Sequence, residues 1–265
     1  MSMGDEVQLS RRVAASGSLR LDYQMGFAAR VTPRASLVIG PFRRTHFKAL
    51  FGDALRVPST NERFYGSSLS LQANPLLQPE TIRSFEGVIE HRLDTTLSLS
   101  ASAYRTDLNN LIVPVTLESG IVQLANSGVA VEGVELAAQA SVHGFSGSGS
   151  YSFLRPRDAG SGYLDAAPRN LAKLRAMAPL GAHLTGALQM LWSGGVQAHN
   201  GERIDSALIS NVTVTTRSLW QRVTLGASVY NLFDRKASYP VSEEHVQGSV
   251  PQYGRRFLTR LTWHF

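Results

Sequence analysis

Apolar and polar side chains take turns along segment after segment of this chain, and the segments are long. In TLSLSASAY, Leu97, Leu99, Ala101 and Ala103 fall on one face of an extended backbone, and Ser98, Ser100, Ser102 and Tyr104 on the other. FSGSGSYSF sets Phe145, Gly147, Gly149, Tyr151 and Phe153 against Ser146, Ser148, Ser150 and Ser152. GVELAAQAS and RVTLGASVYN repeat the pattern, with Val134, Leu136, Ala138 and Ala140 in the first and Val223, Leu225, Ala227 and Val229 in the second. A period of two is the mark of a β-strand with unlike faces. No segment offers a comparable amphipathic helix, so the chain reads as all-β. About twelve strands can be marked: 15–24, 33–40, 45–55, 81–93, 96–106, 129–142, 145–154, 169–179, 183–194, 205–216, 222–232 and 254–265. Many run to about 10 residues or more, against a mean of about 5 or 6 in globular sheets. A tilted strand that crosses a bilayer needs about 9 to 11.

The connectors alternate as well. Short ones fall at 41–44, 94–95, 143–144, 180–182 and 217–221; long ones fall at 25–32, 56–80, 107–128, 155–168, 195–204 and 233–253. A soluble β-sandwich has no reason to gather its long loops at one end, whereas outer-membrane barrels do, with the long loops outside and short turns in the periplasm. The expectation is an antiparallel transmembrane β-barrel. By parity of turns, 56–80, 107–128 and 233–253 lie outside, and LIVPVTLESGIVQLANS within 107–128 is a protruding hairpin. The closing strand sets Phe257, Leu261, Trp263 and Phe265 on its apolar side, with the terminal aromatics near a membrane interface. It must pair rather than trail, because an unpaired edge in hydrocarbon leaves backbone groups unsatisfied.

Composition agrees with a wet-and-greasy wall. Only 17% of residues are charged and 43% are hydrophobic, and the shortfall in charge is made up by Ser, Thr, Gly, Gln and Asn rather than by apolar residues. No run approaches the ~20 apolar residues of a spanning helix, and the first residues lack the apolar core of a secretion signal. There is no cysteine, which removes disulfides and thiolate metal sites. The net charge is +6, but the densest basic pairs, Arg11-Arg12, Arg43-Arg44 and Arg255-Arg256, lie far apart in sequence. That scatter argues against a nucleic-acid partner.

Several stretches resemble the C-terminal half of the barrel of TonB-dependent outer-membrane receptors. ALRVPSTNERFY carries Arg56, Pro58, Ser59 and Glu62 in the family's Arg-x-Pro-Ser-x-x-Glu pattern. NPLLQPETIRSFEGVIEHRL carries Asn74, Pro75, Leu77, Pro79 and Glu80. VYNLFDRKASYPVSEEHVQGSVPQYGRRFLTRLTWHF resembles the family's ending, with Asn231, Leu232, Phe233 and Asp234, an outside loop, and Gly254, Arg255 and Phe257 before a terminal Phe265. NSGVAVEGVEL and PRNLAKL fit the strands between. The similarity runs from about residue 17, so 17–265 is expected to be a partial receptor barrel and 1–16 an unplaced segment. Such transporters have about 22 strands, and neither the energy-coupling box nor the plug is recognisable here. The resemblance implies a parent that takes up a ferric siderophore, cobalamin or a similar scarce nutrient. It implies outer-membrane lipid, the barrel-assembly machinery and the TonB complex as partners, the last through the N-terminal region. A self-contained passive pore of about twelve strands is the alternative; it would require strand 15–24 to pair with strand 254–265.

No catalytic constellation or cofactor signature stands out, and the chain reads as a non-enzyme. The seven histidines show no zinc spacing. His199 and Ser206 lack an orienting third group. GFSGSG has neither phosphate-loop nor dinucleotide spacing, and its glycines are expected to allow close strand packing or curvature. Candidate ligand-loop residues are Arg63, Phe64 and Tyr65 in the longest loop, with Glu243, Glu244 and His245 in the last one. Inward charges expected on a wet lumen wall are Glu86, Glu90, Arg92, Glu135, Lys173 and Arg175.

Overall fold

The computed structural model describes residues 1–67, 70–157, 167–198, 200–216, 222–241 and 247–263. Its elements are β1 (Ser2–Ser10), β2 (Val13–Asp22), β3 (Arg30–Phe42), β4 (Thr45–Arg56), α1 (Thr60–Phe64), β5 (Leu71–Gln72), β6 (Glu80–Arg92), β7 (Leu97–Thr116), β8 (Val122–Val142), β9 (Phe145–Arg157), β10 (Asn170–Leu180), β11 (Leu184–Ser193), β12 (Val196–Gln197), β13 (Arg203–Ile204), β14 (Ala207–Thr216), β15 (Val223–Tyr230), β16 (Ser238–Pro240), β17 (Ser249–Pro251) and β18 (Arg256–Trp263). One sheet takes the long strands in chain order, β1-β2-β3-β4-β6-β7-β8-β9-β10-β11-β14-β15-β18, and β5 pairs β8 in parallel. The pairs β12-β13 and β16-β17 are separate two-stranded ribbons. The expected strands are all present, with shifts of a few residues at their ends except at β7, which ends ten residues later than expected, and β8, which begins seven residues earlier.

Two features differ from the sequence expectation, and a third agrees with it. Ser2–Ser10, unplaced by alternation, forms β1 and pairs β2 antiparallel from Ser2↔Arg20 to Ser10↔Val13. Both edges of β2 are thereby taken, by β1 and β3, so the 15–24 segment is not free to meet the closing strand. Alternation missed β1 because Asp5 interrupts the apolar parity of Met3, Val7 and Leu9. In GFSGSG, a methyl added at Gly147 or Gly149 would come no nearer than 3.5 Å to any neighbour, so close packing is not what these glycines serve. The 107–128 segment does form a hairpin, because β7 and β8 run unbroken for 20 and 21 residues with a turn at 117–121 between them.

Register sorts the faces. Across β9, β10, β11 and β14, Ser148, Arg175, Gln189 and Asn211 share one face, and Gly149, Leu174, Met190 and Ser210 the other. Across β14, β15 and β18, Thr213, Ser228 and Leu258 follow the polar face, and Val212, Val229 and Phe257 the apolar one. Large apolar side chains on the second face stand open: Phe85 is 50% exposed, Leu174 43% and Phe257 75%. In water a row of this kind would be an aggregation surface; in hydrocarbon it is the expected outer wall.

The apolar row has a measurable end. Starting from the short turns, β9 shows Phe145 to Phe153 before Arg155 and Arg157 appear on the same parity. On β7 the row stops at Arg105 and Asp107, on β8 at Glu132, and on β6 at Arg83. Nine residues at about 3.3 Å, tilted by about 40°, rise about 23 Å, close to the ~25 Å apolar band of an outer-membrane barrel. The charges at the boundary are paired: Arg157 with Glu132 at 2.9 Å, Arg105 with Asp107 at 2.9 Å, and Arg83 with Asp53 at 3.0 Å.

Two compact units can be distinguished, the first of Met1–Ile89, Ser102–Val134 and Arg155–Leu164, the second of Glu90–Ala101, Glu135–Leu154 and Asp165–Phe265. Each has a small core under its long loops. In the first it includes Leu77, Val113, Val129 and Val131; in the second, Ala198, Ile204 and Ala237. Turn chemistry holds the short ends: His143 and Gly144 both take positive φ, 48° and 85°, as a two-residue hairpin turn requires.

Candidate functional site

The first unit's site is the loop between β4 and β6, and the residues that shape it are those singled out by the sequence motifs. Ser59 caps α1: its hydroxyl accepts from the Glu62 N–H, and the Glu62 carboxylate accepts from the Ser59 N–H at 2.7 Å, a reciprocal capping box. A five-residue helix is too short to stand alone, so the box and its neighbours fix it. Arg56 spans the loop's two ends, donating to both Glu62 oxygens (2.9 and 3.1 Å) and, through its Nη2, to Glu80 Oε1 (2.7 Å). Glu80 also accepts from Arg56 Nε and, at 2.8 Å, from the Ile112 N–H. Burial pushes the Glu62 carboxyl up, but bonds from the Ser59 backbone, the Arg56 guanidinium and the Ser59 hydroxyl outweigh it and hold the group below the ordinary glutamate range.

The loop's return limb is stitched to β7 and β8. Asn74 Nδ2 donates to the Leu124 carbonyl (2.8 Å) while its Oδ1 accepts from the Leu76 N–H (3.1 Å). Asn126 exchanges bonds with the Gln78 backbone (2.8 and 3.0 Å) and donates to the Asn110 carbonyl (2.7 Å). Leu77, 1% exposed, is the apolar peg of this closure, a burial worth roughly 2 to 3 kcal/mol. Pro58 is buried and Pro75 accepts from Arg63.

Of the candidate ligand residues, Arg63 is committed within the loop. It donates to the Pro75 carbonyl from Nε (3.1 Å) and Nη2 (2.7 Å), and its guanidinium lies 4.9 Å from the ring centres of both Phe27 and Phe64. Phe64 and Tyr65 remain 56% and 57% exposed. The loop therefore presents an aromatic platform braced by one arginine. Phe27 is the member that sequence reading missed; no signal in its segment marks it apart from any other loop aromatic. Asn110 and Asn126 were also missed, because the contacts they make lie 16 to 48 residues away.

In the second unit Asn231 organises the last loop. Its φ is 52° and its side chain is closed on three sides: Oδ1 accepts from the Arg235 N–H (2.8 Å), and Nδ2 donates to the carbonyls of Arg235 (2.9 Å) and Tyr253 (3.3 Å). Its own N–H donates to Asn211 Oδ1 at 2.9 Å. Leu232 donates its N–H to the Ser210 carbonyl at 2.8 Å, and Phe233 is exposed. Asp234, also at φ 52°, accepts from the Arg255 N–H at 2.7 Å. A Cβ at Gly254 would sit 2.8 Å from Asp234 Oδ1, so a side chain there would displace the Asp234 carboxylate. Arg256 stacks 4.6 Å from the Tyr253 ring. Ser249 donates to Glu202 at 2.8 Å, tying two long loops together. Glu243, Glu244, His245, His199 and Phe265 lie outside the described residues.

The charges expected on a lumen wall share the polar parity of their strands: Glu86, Glu90 and Arg92 on β6, Glu135 on β8, Lys173 and Arg175 on β10. Arg92 and Arg175 line an open concavity with Ser98, Gln139, Ser148 and Gln189 in the second unit. Among the described residues no group of three or more His, Asp or Glu side chains converges.

Comparison with known proteins gives a consistent family. The profile described as TonB dependent receptor-like, beta-barrel, matches residues 3–232. The vitamin B12 transporter BtuB of Vibrio vulnificus (strain YJ016) is 25% identical over 228 residues, 84% of this chain and 36% of that protein. Among solved structures, a variant of the ferric enterobactin receptor PfeA of Pseudomonas aeruginosa in complex with enterobactin aligns with TM-score 0.79 at 19% identity, over 99% of this chain and 45% of the other. The copper transporter OprC aligns with TM-score 0.76 at 18% identity, over 100% and 47%. The chain thus spans about a third of the curated relative and under half of each solved chain.

Proposed function

The chain belongs to the TonB-dependent receptor β-barrel family of the outer membrane, and from that premise we propose that it is the C-terminal part of the barrel of a receptor for a scarce nutrient such as a ferric siderophore or cobalamin. Its polar face forms the lumen wall, with Glu86, Glu90, Arg92, Glu135, Lys173 and Arg175 in water rather than in lipid. Energy coupling reaches the parent through the TonB complex and an N-terminal region; the wall alone supplies none and does not transport actively. The ligand meets the loop end. The observation that carries this reading is the loop between β4 and β6, held down by Arg56, Glu62, Glu80 and Asn74 while it presents Phe64 and Tyr65 to solvent. A braced loop with exposed aromatics binds a bulky chelate at low ordering cost, because its conformation is set beforehand.

The test uses the uninterrupted reading frame expressed in a host lacking its own ferric-siderophore and cobalamin receptors. Titration with ferric enterobactin and, separately, cobalamin should give saturable binding to cells for one of them. Phe64→Ala with Tyr65→Ala should weaken it about tenfold, the loss of one good aromatic contact or so. If neither ligand binds and the purified protein opens steady conductance in planar bilayers, the passive pore replaces the receptor.

A further inference from the structure

We propose that the turns β1–β2 and β3–β4 form a binding patch for the phosphate headgroups of anionic phospholipids in the leaflet on the short-turn side of the membrane. Two of the three basic pairs that are distant in sequence become neighbours here. The Gly40 N–H donates to the Arg12 carbonyl at 2.8 Å, and the Arg12 guanidinium lies 5.3 Å from the centre of the Phe42 ring. Arg11-Arg12 of one turn and Arg43-Arg44 of the other therefore share a single patch. All four are exposed, and neither segment, 9–14 nor 39–47, contains an Asp or Glu.

Turn geometry does not ask for these residues. Arg43 and Arg44 have φ of 47° and 72° and stand between the paired residues Phe42 and Thr45. A two-residue turn with both φ values positive is served best by Asn-Gly, and L-residues with long side chains are strained there. The sequence keeps two arginines in spite of that cost. Guanidinium groups bind phosphate through paired N–H donors.

The surroundings select a membrane over a soluble polyanion. Leu9, Phe42 and Phe47 stand 62%, 43% and 42% exposed in the same two hairpins, so the cations sit at the margin of apolar surface. Basic groups beside exposed aliphatic and aromatic side chains are the chemistry of a lipid interface. A soluble anion would need only the charges. The inference rests on the outer-membrane placement of the family and not on the ligand proposed above.

The purified full chain would be reconstituted in nanodiscs of mixed phosphatidylcholine and phosphatidylglycerol, released, and its retained lipids counted by native mass spectrometry. The wild type should retain phosphatidylglycerol over phosphatidylcholine by about tenfold. The variant Arg11→Gln, Arg12→Gln, Arg43→Asn, Arg44→Gly should fall to within about twofold of parity; it installs the favoured turn pair, so loss of folding is not the cause. Arg255→Gln with Arg256→Gln, at the loop end, should leave the preference unchanged. Equal enrichment in wild type and the four-site variant overturns the proposal. So does displacement of the retained lipid by millimolar inorganic phosphate, which would mean an anion site without a membrane component.

Discussion

Replacing Asn231 by Ala should loosen the last long loop without disturbing the strands that carry it. The Asn side chain satisfies the Arg235 N–H and the Arg235 carbonyl at 2.8 and 2.9 Å and is 4% exposed. Losing these two shorter bonds of the three its side chain makes costs about 1 kcal/mol each. The backbone at φ 52° adds roughly 1 kcal/mol for Ala, since Asn tolerates this region better than other residues with a Cβ. The sum is about 2 to 4 kcal/mol, or a rise of about 30- to 1000-fold in the opening equilibrium of the loop. Hydrogen-exchange mass spectrometry on the refolded chain reads it directly, at the amides of Asp234, Val241 and Gln252, whose N–H groups donate to Asn231, Gly248 and Ala237. Asn231→Gly removes the bonds but not the backbone freedom, so it should recover about 1 kcal/mol of the loss. Amides of β10 and β11 should exchange as in the wild type. If both variants protect the loop as well as Asn231 does, the side-chain staple is not what holds it.

The other predictions concern the first unit and the loop closure. Arg56→Gln and Glu80→Gln should each destabilise the β4–β6 loop, and the double variant should lose less than the sum, with a coupling of about 1 to 3 kcal/mol in a double-mutant cycle followed by proteolysis rate; strict additivity would refute a direct bridge. Protection of α1 should hold from neutral pH down to the ordinary glutamate range near pH 4 and fall below it. Glu62, whose folded pKa is lowered, contributes stability that is present above its unfolded pKa and lost as pH drops through the folded value. Glu62→Gln should flatten that profile. Gly254→Ala should open the Asp234–Arg255 contact, because its Cβ would press on Asp234 Oδ1 at 2.8 Å; unchanged exchange at the Arg255 amide would count against it. Proteases added to intact cells should cut at Arg63 or within 233–253, and cuts seen only after lysis would reverse the proposed orientation.

Legibility in the sequence followed the range of each interaction. The long strands could be read because alternation is local, each residue carrying its own vote on which face it joins. β1 could not, because Asp5 breaks its apolar parity and its identity comes from pairing with β2. The motif residues Asn74, Glu80 and Asn231 were found by family likeness, while their work as staples became visible only with their partners Leu124, Ile112 and Tyr253 in place. Basic pairs dismissed as scattered proved adjacent once β2 and β3 were set in register, since a hairpin brings residues some thirty positions apart to one end. Spacing along the chain says little about spacing across a sheet.

Each long strand neighbours the next long strand in the chain, and none is inserted between two that were already paired. Such a wall has the grammar of a picket fence. A hairpin added or lost alters the circumference and leaves every other register untouched, because no strand depends on a distant one for its place. Change can therefore accumulate hairpin by hairpin, with loop chemistry diverging at one end while turns at the other stay short. A fold built this way ties the width of its wall and the chemistry of its loops to separate, independently editable parts of the gene.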